Sequence, residues 1–186
     1  MTEYFEVLDR DGTARVGELG LADPVQTPGL IGEAREDAGS LWAADRNIPA
    51  GSEAKLTVLP HRAFPSGTPA DVQDEFDVPA PAIDGPSAAV ISQDTAGDRG
   101  TDVYVLSAPG VLMGHARAFV ETLIEIRRSI PDDTALLLSG VATPANVALL
   151  AYAGVDLVDT DRAVVAGTRG RYLEPTEESF LEDRSE

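Results

Sequence analysis

The stretch "TALLLSGVATPANVALLAYAGVDLVD", residues 134–159, holds two apolar runs of strand length on either side of a helical segment. "TALLLSG" suits a strand that is covered on both faces. In "TPANVALLAYAG", Thr143 stands at the N-cap position, Pro144 at the first helical position and Gly154 just past the end. "VDLVD" then predicts the next strand. This order of elements predicts a strand–helix–strand unit of a parallel sheet.

The same pattern continues upstream. "SAAVIS" and "DVYVLSA" are further apolar runs of strand length, and "GHARAFVETLIEIRRSI" has apolar residues close to helical spacing, with Arg127 and Arg128 in its last turn. At the N-terminus, "YFEVLDRDGTARVGEL" alternates apolar and polar residues around Asp11-Gly12, which predicts a β-hairpin. "PADVQDEF" predicts a short helix starting near Pro69.

These elements predict an α/β fold, a TIM-like (β/α) barrel with an N-terminal antiparallel hairpin. A full eight-fold barrel takes about 250 residues. Because the chain has 186 residues, we expect the barrel to be reduced or incomplete. We predict a single domain over residues 1–175, followed by an acidic tail at 176–186 that is solvated or frayed.

The charge of the chain is strongly negative. It has 32 acidic and 14 basic residues, a net charge of -18, and Lys55 is its one lysine. Repulsion between these charges destabilises a compact state in dilute buffer, but concentrated salt screens it. Diffuse acidity with lysine nearly absent is typical of a protein from a salt-loving microbe; an ordinary acidic protein is the alternative. In molar salt, acidity says little about whether the partner is a nucleic acid.

Several classes of site and location are excluded by composition. The chain has no cysteine and two histidines, so a thiolate nucleophile, a disulfide or a histidine-built metal centre is not expected. The N-terminus "MTEYFEVLDRDG" has neither a basic nor an apolar signal region. The apolar stretches are shorter than the ~20 residues of a membrane span. We expect a soluble, cytoplasmic protein that does not bind membranes.

Three acids cluster in "GVDLVDTD": Asp156, Asp159 and Asp161. Ligands of parallel α/β folds sit at the carboxyl ends of the strands, where Asp159 falls. A carboxylate there can act as a nucleophile or a base. The alternative is that Asp159 or Asp161 caps the following segment. Asp156 alternates with Leu157 along the strand and is expected to pair with an arginine.

A resemblance starts from residues 130–173, "IPDDTALLLSGVATPANVALLAYAGVDLVDTDRAVVAGTRGRYL". A strand ends in Gly before a helix that begins near a Pro, then a "G-[VC]-D-L-x-D" strand leads into a segment closed by "GRYL". This order resembles the archaeal branch of the tRNA-guanine transglycosylase family. "ARVGELGLADPVQTPGLI" also resembles that family's opening hairpin. Within the family, the chain is most similar to the transglycosylase-like N-terminal domain of archaeosine synthases.

The resemblance implies a TIM-like barrel that acts on guanine 15 in the D-loop of archaeal tRNA, with Asp159 in the position of the nucleophile. The family's other catalytic aspartate lies in a "D-S-G-[GS]" motif, which this sequence lacks; "TVLPHRAFPSG" offers His61, Arg62 and Ser66 instead. The family's zinc site uses cysteines, so no cofactor is expected in this chain. We expect either a fragment cut before the zinc site or a truncated paralogue.

Two smaller groups of residues are further candidates for substrate binding. Arg169 and Arg171 in "AGTRGRYL" are suited to phosphate contacts, or they pair with the surplus acids of the chain. His61 and Arg62 are suited to lining a pocket, or they pack and pair with acids. The sequence leaves both alternatives open.

Three functions compete at this stage. The first is a transglycosylase-like domain that serves substrate recognition or scaffolding in archaeosine formation and is incomplete or inactive as a catalyst alone. The second is an active transglycosylase that uses Asp159 as its nucleophile. The third is a non-catalytic protein-interaction module. The expected partners are tRNA, bound together with additional domains, a cysteine-bearing catalytic region or partner chain, and, as a further candidate, a second copy of the chain.

Overall fold

The computed structural model describes residues 3–37, 50–61, 68–75, 83–107, 109–112, 114–176 and 178–180. An antiparallel sheet consists of β1 (Phe5–Asp11), β2 (Ala14–Leu19) and β3 (Val25–Thr27). A parallel sheet consists of β4 (Gly29–Leu30), β5 (Arg35–Asp37), β6 (Leu56–Val58), β7 (Ser87–Ile91), β8 (Val103–Leu106), β9 (Ala135–Leu138) and β10 (Leu157–Val158).

The α-helices of the described ranges are α1 (Ala70–Glu75), α2 (Pro109–Leu112), α3 (Ala116–Ser129), α4 (Val147–Tyr152) and α5 (Asp161–Thr168), and a 3-10 helix spans Gly32–Ala34. After α5, β11 (Arg171–Leu173) and β12 (Glu178–Phe180) form a small antiparallel hairpin. The division into a domain over 1–175 and a tail over 176–186 stays a prediction. Residues 181–186 lie outside the described part of the chain.

The parallel sheet is curled. Its strand order is β4-β10-β9-β8-β7-β6-β5, so β4 and β5 lie at opposite edges. Seven strands laid flat would span about 29 Å. In the chain, however, only residues 31–34 separate β4 from β5, and five Cα–Cα steps reach at most about 19 Å. The edges must therefore approach each other, which confirms the predicted incomplete TIM-like barrel.

Two apolar layers line the central strands. In β9, Leu136 and Leu138 belong to a core shared with α3 and α4, while Ala135 and Leu137 belong to a second core that includes Phe5 of the antiparallel sheet. Successive side chains of a strand point to opposite faces, so a strand buried on both faces reads as a continuous apolar run. The prediction that "TALLLSG" is covered on both sides is confirmed.

The antiparallel sheet lies against the residues that precede the central parallel strands. The backbone N–H of Tyr4 donates to the carboxylate of Asp102, next to β8. The hydroxyl of Thr13, in the turn between β1 and β2, donates to the carbonyl of Tyr152 at 2.7 Å. Gly154, with φ +95°, follows α4, and a Cβ on it would lie 2.9 Å from the carbonyl oxygen of Thr13. These contacts place the hairpin at the amino ends of the strands.

A buried ion pair fixes this arrangement. Nε of Arg15 donates to Oδ1 of Asp156 at 2.6 Å, and Nη2 donates to Oδ2. Oδ2 also accepts the backbone N–H of Leu136 at 2.6 Å, and Nη1 of Arg127 lies 3.8 Å away. The side chains of Arg15 and Asp156 are nearly inaccessible. The expectation that Asp156 pairs with an arginine is confirmed.

The pair is part of a cluster with two guanidinium groups. Burial, and after it the charge of Arg15, lowers the pKa of Arg127 to about 10, while Asp156 acts in the opposite direction. The carbonyl of Thr134 accepts hydrogen bonds from both arginines. Asp156 therefore supplies the countercharge for both arginines.

One predicted helix start is wrong. The helix begins at Val147 with Asn146 as its N-cap, not at Pro144 with Thr143 as N-cap. The side chain of Asn146 accepts the backbone N–H of Thr143 at 2.8 Å and donates to the carbonyl of Val141 at 3.0 Å. Residues 144–146 form a turn, because this local side-chain bonding competes with the first helical turn. The predicted end at Gly154 is confirmed by its positive φ.

We expect Asp156→Ala to lower the free energy of unfolding by about 3–5 kcal/mol, because it leaves two buried guanidinium groups without a countercharge. Asp132→Ala is the matched control: its carboxylate lies 3.5 Å from Arg10 in an exposed pair. Its loss should cost less than about 1 kcal/mol. Denaturant unfolding in concentrated KCl measures both, and equal losses would contradict the account.

Candidate functional site at the strand ends

Asp159 follows β10 directly, at the carboxyl end of the strand, and its side chain is 3% exposed. β9 ends next to it, which places Ser139 and Gly140 within hydrogen-bonding distance. Arg35 comes from the opposite edge of the sheet, at the start of β5. The curl of the sheet therefore brings groups from three strands to one carboxylate.

Four donors occupy the carboxylate of Asp159. Oδ1 accepts the backbone N–H groups of Gly140 at 2.8 Å and Asp161 at 3.2 Å. Oδ2 accepts Nη1 of Arg35 at 2.8 Å and the hydroxyl of Ser139. A carboxylate has about four lone-pair positions, so each oxygen is satisfied within the protein.

These contacts set the charge state of the site. Burial raises the pKa of Asp159, but the hydrogen bonds from Ser139, Gly140, Arg35 and Asp161 outweigh it and hold the pKa below its ordinary value. For Arg35, burial lowers the pKa, and the bonds to Asp159 and Asp161 outweigh this and raise it. Both groups are therefore charged at neutral pH.

A second carboxylate lies beside the first. Oδ2 of Asp161 is 3.3 Å from Nη2 of Arg35 and 3.5 Å from the hydroxyl of Ser139, and the Asp161 side chain is about half exposed. The guanidinium of Arg35 thus bridges a buried and an exposed acid. Such an arrangement can hold one carboxylate fixed while the other contacts solvent or a ligand.

Asp159 also contributes to the start of α5. Thr160 is the N-cap but makes no side-chain cap bond. The N–H of Asp161, the first helical residue, is instead satisfied by Asp159. Of the two roles that the sequence left open for Asp159, the structure contains this helix-capping contact. The role as nucleophile stays a prediction.

In the part of the chain that the structure describes, the hydrogen bonds of Asp159 involve none of the other predicted site residues. His61 is partly buried, and its Nδ1 has no hydrogen-bond partner among the described residues. Arg62, predicted to line a pocket with it, lies outside the described residues. Nη1 of Arg171 pairs with Glu178 at 3.1 Å, which agrees with the alternative that these arginines pair with acids of the chain. Arg169, two residues earlier, is exposed. Phosphate binding by these arginines stays a prediction.

Sequence reasoning missed two residues of the site. Ser139 follows an apolar strand in "LLLSG", and its position after a predicted strand could have drawn attention to it. Arg35 lies in the polar and irregular segment "EAREDAGS". Nothing in that segment shows that the sheet curls far enough to bring its two edges together, so no local pattern could have found it.

A cavity opens at the opposite end of the barrel, where the amino ends of the strands lie. Its volume is about 650 Å³, and its lining includes residues that precede three strands, among them Gly85, Asp102 and Thr134. Ligand sites of α/β barrels lie at the carboxyl ends of the strands. We therefore place the candidate site at Asp159. Within the described ranges, no group of three or more His, Asp or Glu side chains is arranged to hold a metal ion.

The fold and the site define a class of protein: a TIM-like barrel with an ion-paired aspartate at the carboxyl end of a strand. The family model of queuine tRNA-ribosyltransferase (TGT) matches residues 87–185, slightly more than half of the chain. The chain belongs to this family, as the resemblance predicted. No helix in the described part of the chain is both long and apolar enough to cross a membrane.

Two relatives match almost the entire chain. It is 55% identical over 186 residues to the archaeosine synthase of Haloferax volcanii, a match that covers all of this chain and 32% of that protein. It is 34% identical over 208 residues to archaeosine synthase subunit alpha of Methanosarcina acetivorans, covering 98% of this chain and 33% of that protein. The chain thus spans about a third of the length of these curated relatives. The Haloferax relative agrees with the halophilic interpretation of the charge.

The lowered pKa of Asp159 predicts a specific loss of stability in acid. The stabilisation by its contacts is complete above the unfolded-state pKa, about 3.9, and is lost as the pH falls through the lower folded-state pKa. In Asp159→Asn, unfolding free energy should therefore depend less on pH between about pH 6 and pH 3. Urea unfolding at fixed high salt measures this.

Asp94→Asn serves as the control, because it makes the same charge change at an exposed position. It should keep the pH dependence of the unsubstituted protein. If Asp159→Asn and Asp94→Asn show the same pH dependence, Asp159 has no depressed pKa and the hydrogen bonds do not act as described.

Proposed function

We propose that this chain takes part in archaeosine formation in tRNA, at guanine 15 of the D-loop, as a transglycosylase-like domain that recognises the substrate or serves as a scaffold. Membership of the family and the printed names of the two relatives support this role. Because the chain spans about a third of each relative, the complete activity is proposed for a larger assembly, together with a cysteine-bearing catalytic region. The proposal gives this chain no resident cofactor.

The proposal that the domain is not a complete catalyst rests on the hydrogen bonds that the carboxylate of Asp159 already accepts. To attack the anomeric carbon of a ribose, a carboxylate oxygen needs a free lone pair and an open approach. Both oxygens of Asp159 already accept two donors each, and the side chain is almost inaccessible. Attack would require at least one of these donors to leave.

The second carboxylate favours an alternative, an active transglycosylase-type enzyme. Base exchange needs one acid as nucleophile and another to manage the proton of the departing base. Asp161 shares Arg35 and Ser139 with Asp159 and is exposed, so it has the position for the second role. In that reaction, Oδ2 of Asp159 would form a bond to C1′ of the ribose. The glycosidic C–N bond would break, and the base would leave with the bonding electrons.

Trapping on tRNA separates these functions. The chain is incubated in concentrated KCl with archaeal tRNA and the deazaguanine base, followed by denaturing electrophoresis for a covalent adduct and by a separate binding measurement. We expect salt-tolerant binding and no adduct. The binding should persist in high salt, because screening removes the repulsion between tRNA and a chain of charge -18.

The variants make each outcome decisive. An adduct that is lost in both Asp159→Asn and Asp159→Ala, and kept in Asp94→Asn, would contradict the proposal and establish the active enzyme. The absence of both adduct and tRNA binding would contradict a recognition role and favour a protein-interaction module. Circular dichroism of each variant checks that it is folded.

A further inference from the structure

Most of the exposed apolar side chains belong to β4 and to residues 147–180. Among the described residues, eight of the eleven large hydrophobic side chains that are exposed belong to β4, α4, α5 or the β11–β12 hairpin. These eight are Leu30, Val147, Leu149, Tyr152, Val164, Val165, Tyr172 and Phe180. Exposed apolar residues that cluster mark interaction surfaces, whereas single ones are ordinary.

The helices also differ in how many side chains they bury. α3 buries five side chains, including Phe119, Leu123 and Ile126, against the outer face of the sheet. In contrast, α4 buries Leu150 alone and α5 buries Ala166 alone. An amphipathic helix normally gains its stability by burying an apolar face. The apolar residues of α4 and α5 are mostly left without such a cover.

The charge pattern supports the same conclusion. A quarter of the chain is charged, and the net charge of -18 keeps its surface solvated in salt. Residues 141–155, "VATPANVALLAYAGV", contain no charged residue at all, although Val147, Leu149 and Tyr152 within them are exposed. Interface cores are depleted of charge in this way. This segment differs in composition from the acidic remainder of the chain.

A groove runs along this surface. It has a volume of about 210 Å³ and lies between α4, which contributes Val147 and Ala151, and the strand pair β4–β10, which contributes Leu30 and Val158. Helices of an α/β barrel pack on the outer face over neighbouring strands, as α3 does here. The groove therefore has the position and the lining of the next helix site along the barrel.

We propose that this groove binds an amphipathic helix from the further polypeptide that archaeosine synthases possess beyond the third matched by this chain. The inference rests on the proposed function, because it takes the relatives' architecture as the guide. Both relatives align with nearly all of this chain, which covers 32% and 33% of them, so about twice its length of polypeptide accompanies the domain in each. Within the described ranges, the one charged residue that lines the groove, Asp156, is already paired with Arg15, so that polypeptide can pack there without burying an unpaired acid.

The absence of cysteine from the chain allows a direct test. Single cysteines are introduced as Leu30→Cys and Val147→Cys in the groove and as Leu8→Cys, a control on β1 that is 58% exposed. Maleimide labelling rates are measured by mass spectrometry in the chain alone. They are then measured in a full-length chimera in which this chain replaces the matching third of the Haloferax volcanii protein. We expect all three thiols to react quickly in the chain alone. In the chimera, the two groove thiols should be slowed at least tenfold while Leu8→Cys is unchanged.

Hydrogen exchange of the natural Haloferax protein provides a second measurement that does not depend on the chimera. Peptides that align with α4 should be protected there and exchange quickly in the 186-residue chain. Groove thiols and α4 peptides that are as reactive in the longer proteins as in the chain alone would overturn the proposal. Protection in the chain alone at high concentration, together with sedimentation as a dimer, would overturn it in favour of a second copy.

Binding of tRNA, measured on the same preparations, keeps the two proposals separate. If the groove is protected but no tRNA is bound, the docking surface stands and the recognition role fails. If tRNA is bound and the groove stays reactive in both longer proteins, the recognition role stands and the docking surface fails.

Discussion

The ion pairs at the two ends of β10 hold the N-terminal region of the chain onto the barrel. Before the strand, Asp156 binds Arg15 of the hairpin, and after it, Asp159 binds Arg35 at the far edge of the sheet. β10 itself has only two residues, so its backbone hydrogen bonds alone fix little. The pairs join residues more than 120 positions apart, and each uses further donors to satisfy the carboxylate. They act together with the hydrogen bonds of Tyr4 and Thr13 that hold the hairpin and with the short β4–β5 connection that makes the sheet curl.

The same ion pairs bear on the function of Asp159. Arginine forms these pairs because its planar guanidinium contacts two acceptors at once and stays charged when it is partly buried. At Asp159, this bonding gives a carboxylate that is charged at neutral pH and accepts four hydrogen bonds, in the position that the family resemblance assigns to a nucleophile. The residue thus serves the fold whether or not it retains chemistry. This state supports the proposed role of the chain beside a catalytic region.

The sequence predicted the parts of the structure that local patterns encode. "TALLLSG" and "DVYVLSA" predicted β9 and β8 because burial on both faces leaves a continuous apolar run, and Asp11-Gly12 predicted the hairpin. The start of α4 was missed because Asn146 bonds back to Thr143, a local competition that the Thr-Pro signal conceals. Arg35 was missed because its role depends on the closure of the sheet, which no segment of the sequence shows.

The most direct test is a double-mutant cycle on Arg35 and Asp159, with Arg35→Gln, Asp159→Asn and the double variant unfolded in urea at high salt. We predict a coupling free energy of about 2 kcal/mol, the range of a hydrogen-bonded charged pair. A coupling below about 0.3 kcal/mol, the level of independent sites, would contradict the account. In that case Asp159 would not be held across the sheet, and its carboxylate would be available for chemistry.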